Sequence, residues 1–346
     1  MAIPELSERE RRVLEAVIQS YVETAQPAGS NAIARKFGLG VSSATIRNTM
    51  SDLEEKGLLY HPHTSAGRVP TDVAYRIYVD SIMPLPAIPH REQDALSAQI
   101  ATGGLAVEGI LRRAAQSLGV ITQELGVALG PRLDDSILQR VDLVRLSSER
   151  LLLALTLTGG AVRTIFVEAR GDIADSAIVE VTRLLNQRIA GLTLREIRLS
   201  VGDRLRDTGP TKEAAELLNV FIEEGEQLFE TATQGDETVL LGQPSLLAEQ
   251  PEFSTVDNMR KLVALTETHE HLADLLRKRS GSPGITISIG NEHLDPKLET
   301  FTIVTAQYRS GGVTGVIGVI GPTRMPYDKV ISLVTHTSRL ITDLLE

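Results

Sequence analysis

The stretch Ser42-Ser43-Ala44-Thr45-Ile46-Arg47-Asn48-Thr49 gathers short hydroxyls, one guanidinium and one carboxamide. These are the groups that bond to phosphate oxygens and to base edges, Arg to guanine, Asn to adenine, Ser and Thr to either. On a helix, Ile46, Met50 and Leu53 share one face, while Thr45, Arg47, Asn48 and Thr49 lie largely on the others. Ser42 or Ser43 can cap the start of that helix, where backbone amides also attract a phosphate. His63 and Arg68 follow at a distance that suits a flanking hairpin. The candidate DNA contacts are therefore Ser42, Ser43, Thr45, Arg47, Asn48, Thr49, His63 and Arg68.

Other chemistries find less support. With no cysteine in the chain, a thiol nucleophile, a disulfide framework and a zinc-thiolate finger are excluded. No G-x-S-x-G elbow occurs, and no Ser-His-Asp set has another supporting motif. The pairs His61/His63 and His269/His271 are each two apart. In a strand that spacing puts both rings on one face, where further ligands would be needed to hold a metal. In a helix, as expected around 269–271, it points them to different sides, so structural roles or DNA contact are expected instead of metal binding. Gly315, Gly318 and Gly321 lie in a strand pattern without the turn-then-helix context of a phosphate loop, and read as close packing on a sheet. Arg324 reads as a tie between its loop and a neighbouring acid. The chain is not expected to be an enzyme or to hold a cofactor or a metal.

The elements that must position the candidate residues are legible nearby. Ser7-Glu8-Arg9-Glu10 has the form of a capping box, followed by Val13, Leu14, Val17, Ile18 and Tyr21 at helical spacing. A second short helix fits Ser30 to Phe37, Gly38-Leu39-Gly40 a tight turn, and the third helix ends at Gly57. Leu58-Leu59-Tyr60 and Arg68-Val69 then form two strands of a wing. Helix, short helix, turn and capped helix make a helix-turn-helix pattern. The same pattern occurs in helical domains that never touch DNA, and local charge is what favours DNA. From Thr24 to Ser51 there are Arg35, Lys36 and Arg47, and from Lys56 to Thr71 there are Lys56 and Arg68, with no acid in either stretch.

The whole chain has 346 residues, a formal net charge of −10, 42% hydrophobic and 23% charged residues. That length predicts two or three domains, and the net acidity counts mildly against binding of nucleic acid by bulk charge alone. No apolar run approaches the roughly 18 residues of a membrane span, and the first residues lack a signal-peptide pattern, which predicts a cytoplasmic protein with no membrane partner. The expected fold class is α+β and multi-domain. Residues 1–83 form the winged helix-turn-helix, and 84–91, with Pro84, Pro86 and Pro89, a stiff linker. Residues 92–202 and 281–346 form the two parts of one α/β domain, interrupted at 203–280 by a mostly helical insertion. Strands are expected at 120–122, 137–146, 151–157, 162–167, 238–241, 285–289, 301–308 and 313–320. Helices are expected at 173–190, 211–233, 256–279 and 325–345.

The longer motifs add a resemblance. Ser42 to Met50 followed by Leu53-Glu54-Glu55-Lys56-Gly57-Leu58-Leu59 closely resembles the heat-inducible transcription repressor HrcA family of bacteria. So do Pro62-His63-Thr64-Ser65-Ala66-Gly67-Arg68-Val69-Pro70-Thr71-Asp72, Tyr75-Arg76-Ile77-Tyr78-Val79-Asp80 and Ile320-Gly321-Pro322-Thr323-Arg324-Met325-Pro326-Tyr327. Thr49 departs from the family pattern, in which Asp is expected. The resemblance implies a homodimeric repressor with a GAF-like central domain and an inserted dimerisation domain. It further implies an inverted-repeat operator on double-stranded DNA, the CIRCE element, upstream of chaperone operons, with release on heat stress and dependence on a GroEL-type chaperonin. Two other readings compete: a winged-helix repressor gated by a metabolite, and a cytoplasmic adaptor that binds protein.

Overall fold

A computed structural model describes residues 4–63, 67–83, 90–101, 107–131, 133–158, 162–168, 173–233, 239–310 and 313–345. It is a mixed structure of helices and several sheets. The N-terminal head begins with α1 (Glu8–Thr24), α2 (Ser30–Phe37) and α3 (Ser43–Glu55). The capping box at its start is formed, with the Glu10 amide bonded to Ser7 and the Glu10 carboxylate reaching back to the Ser7 N–H. Val13, Leu14, Val17 and Ile18 from α1 meet Ile33 of α2 and Ile46, Met50 and Leu53 of α3, all buried. The antiparallel pair β1 (Leu59–Tyr60) and β2 (Val69–Pro70) follows. An isolated bridge between Ala28 and Arg68 ties this hairpin to the turn ahead of α2. Gly67 permits that bridge, since a Cβ there would stand 2.5 Å from the Ala28 carbonyl. Helix α4 (Asp72–Ile77) continues into a wider turn at Tyr78–Ile82. Of the expected linker 84–91, residues 84–89 lie outside the described residues, and 90–91 already belong to α5 (His90–Ala101).

After α6 (Val107–Thr122) comes a body built on one five-stranded antiparallel sheet. Its strands are β3 (Leu125–Leu129), β7 (Val239–Leu241), β8 (Ile285–Ile289), β9 (Phe301–Ser310) and β10 (Val313–Pro322), in the order β7-β3-β10-β9-β8. Alternate residues serve opposite faces. Ala128, Val304, Ala306, Tyr308, Ile317 and Val319 face α5, α6 and the last helix, α14 (Tyr327–Leu345). Val127, Ile303, Val316 and Ile320 face the other side, against α11 (Ser245–Ala248), α12 (Val256–Glu267) and α13 (His269–Ser280). Covering on both faces explains the near-continuous apolar runs of β9 and β10. The glycines of β10 are close-approach positions as expected: a Cβ at Gly318 would lie 2.1 Å from the Val304 carbonyl oxygen. Among the described residues, no helix is long and apolar enough to cross a membrane.

Between β3 and β7 the chain leaves this body. The meander β4 (Leu138–Arg145), β5 (Arg150–Leu157) and β6 (Val162–Glu168) forms a separate three-stranded sheet. It packs on α7 (Asp175–Ile189), α8 (Leu194–Arg206), α9 (Lys212–Glu223) and α10 (Gly225–Thr233) around its own apolar cluster, from Leu133 to Phe229. The interruption expected at 203–280 therefore falls at 133–233 in the packing. Two halves of the expectation change places: the meander leaves the main sheet, and α12 and α13 return to it. Strand pairing joins positions far apart in sequence, which local patterns do not encode.

Three local differences have local causes. Val120-Ile121-Thr122 is the last turn of α6 instead of a strand, because Leu111, Ala115, Leu118 and Thr122 continue one buried helical face. The stretch 211–233 is divided at Glu224, and 256–279 at Thr268, so each is a pair of short helices.

Candidate nucleic-acid interface

Helix α3 starts from Ser42, whose Oγ accepts the Thr45 N–H at 3.1 Å and lies 2.9 Å from Thr45 Oγ1. This cap occupies the Ser42 hydroxyl locally and fixes the N-terminal turn, where free amides favour an anion. Ile46 and Met50 anchor the inner face. Arg47 and Asn48 are consequently turned outward and exposed, as are Ser42 and Ala44, while Ser43 and Thr45 are half-buried. The side chains of Arg47 and Asn48 have no hydrogen bond or ion pair to other described residues.

The remaining candidates are placed differently. Thr49 is 1% exposed and donates its hydroxyl to the Thr45 carbonyl at 3.1 Å, so it faces the interior of the head. Arg68 is also largely buried: its Nε donates to Glu54 Oε2 at 3.1 Å and its Nη2 to Ser51 Oγ at 2.9 Å. Both partners stand on the second half of α3, so the guanidinium fastens the wing to the helix that carries Arg47. It also neutralises Glu54, an acid that would otherwise face the same side. His61 lies 3.7 Å from the same carboxylate, and His63 is exposed at the tip of the described part of the wing. Residues 64–66 of the wing motif fall outside the described residues. On α2, Arg35 is exposed and Lys36 pairs with Glu23.

Thus Ser42, Arg47, Asn48 and His63 are exposed on α3 and the wing, Ser43 and Thr45 are half-buried, and Thr49 and Arg68 are withdrawn into the head. Single-sequence spacing missed the groups that set this arrangement, chiefly Ser51 and Glu54. Their signal was present, since both lie about one helical turn or more beyond Arg47, but their partner Arg68 is distant in sequence. Also missed were the contacts that seat the head. Asp72 accepts the Asn291 N–H at 2.9 Å and its Nδ2–H at 2.7 Å. Arg76 donates to Glu292 Oε1 at 2.7 Å and to the Ile287 carbonyl at 2.9 Å. The expected tie of Arg324 to an acid is found: Nε and Nη2 donate to Glu252 at 2.5 and 3.0 Å. Its Nη1 further donates to the Val22 carbonyl at 2.7 Å. Among the described residues no cluster of acidic, histidine or cysteine side chains is arranged to hold a metal.

Comparison with known proteins agrees over the full chain. The family described as HrcA protein C terminal domain matches residues 108–331. Among curated proteins, the heat-inducible transcription repressor HrcA of Chlorobium phaeobacteroides (strain BS1) is 41% identical, covering 97% of each chain. That of Geobacter sulfurreducens is 35% identical, with 99% of each chain covered. A solved structure, the crystal structure of a hypothetical protein at 2.2 Å resolution, superposes with a TM-score of 0.62 at 24% identity over 99% of both chains, a likeness of fold. On the strength of the family match and of these full-length relatives, the chain belongs to the HrcA family of heat-inducible transcription repressors.

Proposed function

We propose that this protein represses transcription by setting α3 of two heads into successive major grooves of an inverted-repeat operator. The single observation that carries the reading is the outward, unpaired Arg47–Asn48 pair on a capped helix beside a wing whose nearest acid, Glu54, is already neutralised. Arg47, Asn48 and Thr45 read base edges, and Ser42, Ser43 and His63 contact the backbone or the flanking groove. Thr49 and Arg68 act from behind, as parts that hold the reading helix in place.

Reading an inverted repeat requires two-fold symmetry, with heads one or more helical turns, roughly 34–36 Å each, apart. The inserted body at 133–233 is the proposed dimer element. The outward face of its sheet carries an apolar row, Val144, Leu152 and Phe166, in register across all three strands, with Phe166 65% exposed. The five-stranded body takes the GAF-like place and acts as the rigid connector. CIRCE as the operator, release on heat stress and chaperonin dependence complete the reading by family resemblance.

The test is a titration of the purified protein against a duplex carrying the inverted repeat and against a scrambled duplex at one fixed salt concentration. Repeat-dependent binding that Arg47→Ala weakens by about 5-fold or more supports the reading. Equal affinity for both duplexes, with the protein folded and chaperonin supplied, overturns it.

A further inference from the structure

The head and the five-stranded body are joined by more than the chain. Their apolar cores form one continuous cluster, and Tyr75 of the head rests on Tyr327 of the body with ring centroids 5.6 Å apart. Polar contacts flank this seam on two sides. On one side stand Asp72–Asn291 and Arg76–Glu292. On the other, Arg324 reaches out of the loop between β10 and α14 and joins three parts of the molecule. Its fork holds Glu252, in the turn Pro251–Phe253, and its remaining nitrogen holds the Val22 carbonyl in the last turn of α1. The Arg324 side chain is only 14% exposed, and that of Glu252 24%. A planar fork with its donors committed in fixed directions sets orientation in a way a single ammonium does not. The last carbonyls of a helix lack intrahelical donors, so the Val22 contact also grips α1 at a point that would otherwise face solvent.

We propose that Arg324 is a positioning residue for operator recognition: it fixes the direction of the reading head relative to the body, and so the spacing of the two heads, without touching DNA. This deepens the repressor reading above and rests on it. A head that swivels still reads one half-site, but two swivelling heads meet an inverted repeat at a lower effective concentration. Arg324→Ala is then expected to bind a duplex with one half-site as the unaltered protein does. Its affinity for the full repeat falls about tenfold or more, and one or two base pairs added between the half-sites are tolerated better. Arg324→Lys, which keeps the charge and loses the fork, shows the same pattern more weakly. Arg47→Ala, by contrast, loses both duplexes together.

A second readout needs no DNA. The chain has no cysteine, so Asn31→Cys on the exposed side of α2 and Leu294→Cys, at a fully exposed position of the body, accept a spin-label pair uniquely. With unlabelled chains in excess, the label distance should be narrow, and Arg324→Ala should broaden it while circular dichroism stays unchanged. An unchanged distance distribution, or equal loss on half-site and full repeat, overturns the proposal. If the unaltered protein shows no preference for the repeat, the repressor reading fails, and the distance measurement still decides whether Arg324 orients the head. Glu252→Gln covers the case in which Arg324→Ala does not fold, and the same broadening is expected of it.

Discussion

The head and the inserted body are of similar size and are attached to the five-stranded body in opposite ways. The head has no boundary in its core: Leu53 and Leu58 belong to the same buried cluster as Val304 and Val334. The inserted body keeps a cluster of its own, from Leu133 to Phe229, with none of its members shared with the sheet body. On the proposed reading, a part that must aim a helix is fused to its support, whereas a part that presents a dimer surface is hung on two strands of chain. Side chains packed at crystal-like density transmit position, and a pair of connections does not.

The strongest way to break this comparison is to cut each core. Leu53→Ala and Leu155→Ala both remove a fully buried side chain and should each cost about 2–5 kcal/mol. Leu53→Ala is expected to lower the unfolding transition shared by the head and the sheet body. Leu155→Ala should release the inserted body in an earlier, separate transition, seen as loss of hydrogen-exchange protection confined to 133–233. A single common transition for Leu155→Ala in calorimetry and exchange would show that the two attachments are alike.

Next in size is the contrast between reading and holding within the head. Arg47→Ala should weaken operator binding by about 1–3 kcal/mol, roughly 5- to 150-fold, at unchanged thermal stability, because the side chain is exposed and unpaired. Arg68→Ala is expected to lower stability as well, since it leaves Glu54 uncompensated beside α3. Thermal melts alongside titrations separate the two residues, which the sequence alone had set side by side.

That pair also marks the limit of what one sequence discloses. Helix α2 and the cap of α3 fall where expected, and the outward Arg47 and Asn48 follow from a 3.6-residue period anchored by Ile46 and Met50. Each of these depends on residues a few positions apart. Arg68 and Thr49 were assigned to the outer side because their types suit DNA, yet the direction of each is set by contacts. Thr49 lies with Ile46, Met50 and Leu53 on the buried face of α3, and Arg68 is turned in by Glu54 and Ser51. The same distinction governs the body: individual strands such as β5 and β9 were legible, while their assignment to two different sheets was not. Even Arg324, correctly expected to meet an acid, gave no hint that it also grips α1.

A smaller effect probes the seam between head and body directly. The Tyr75 hydroxyl is buried there without a hydrogen-bond partner among the described residues. An unsatisfied buried hydroxyl is destabilising, so Tyr75→Phe should raise stability by about 1 kcal/mol and keep the ring contact with Tyr327. If the seam holds the head for operator binding, this variant retains binding to a higher temperature than the unaltered protein. A lowered melting temperature would mean that the hydroxyl has a partner in solution and that the seam is tighter than its contacts indicate.

An effect of similar size lies inside the head and depends on pH. Glu10 accepts Lys56 Nζ at 2.7 Å and both the N–H and the hydroxyl of Ser7 at 2.8 Å, linking the start of α1 to the end of α3. The bond from Lys56, with those from Ser7, holds its carboxyl down to about 2, against 4.5 for a free group, despite the opposing effect of burial. The folded state therefore binds this proton less readily than the unfolded chain. The stabilisation is complete above about 4.5 and is lost as pH falls from there toward 2. Because the pair is partly open to water, the loss should be only about 1 kcal/mol. Glu10→Gln removes the charge and should flatten the stability profile across that acid range while lowering the plateau above it. Since the head shares its core with the sheet body, the difference between Glu10→Gln and the unaltered protein should appear in the transition of both. That of the inserted body, whose own Glu180 and Glu196 carboxyls are held low by Thr211 and Thr193, should be the same in the two proteins. A shift confined to the head would separate two regions that the continuous cluster joins.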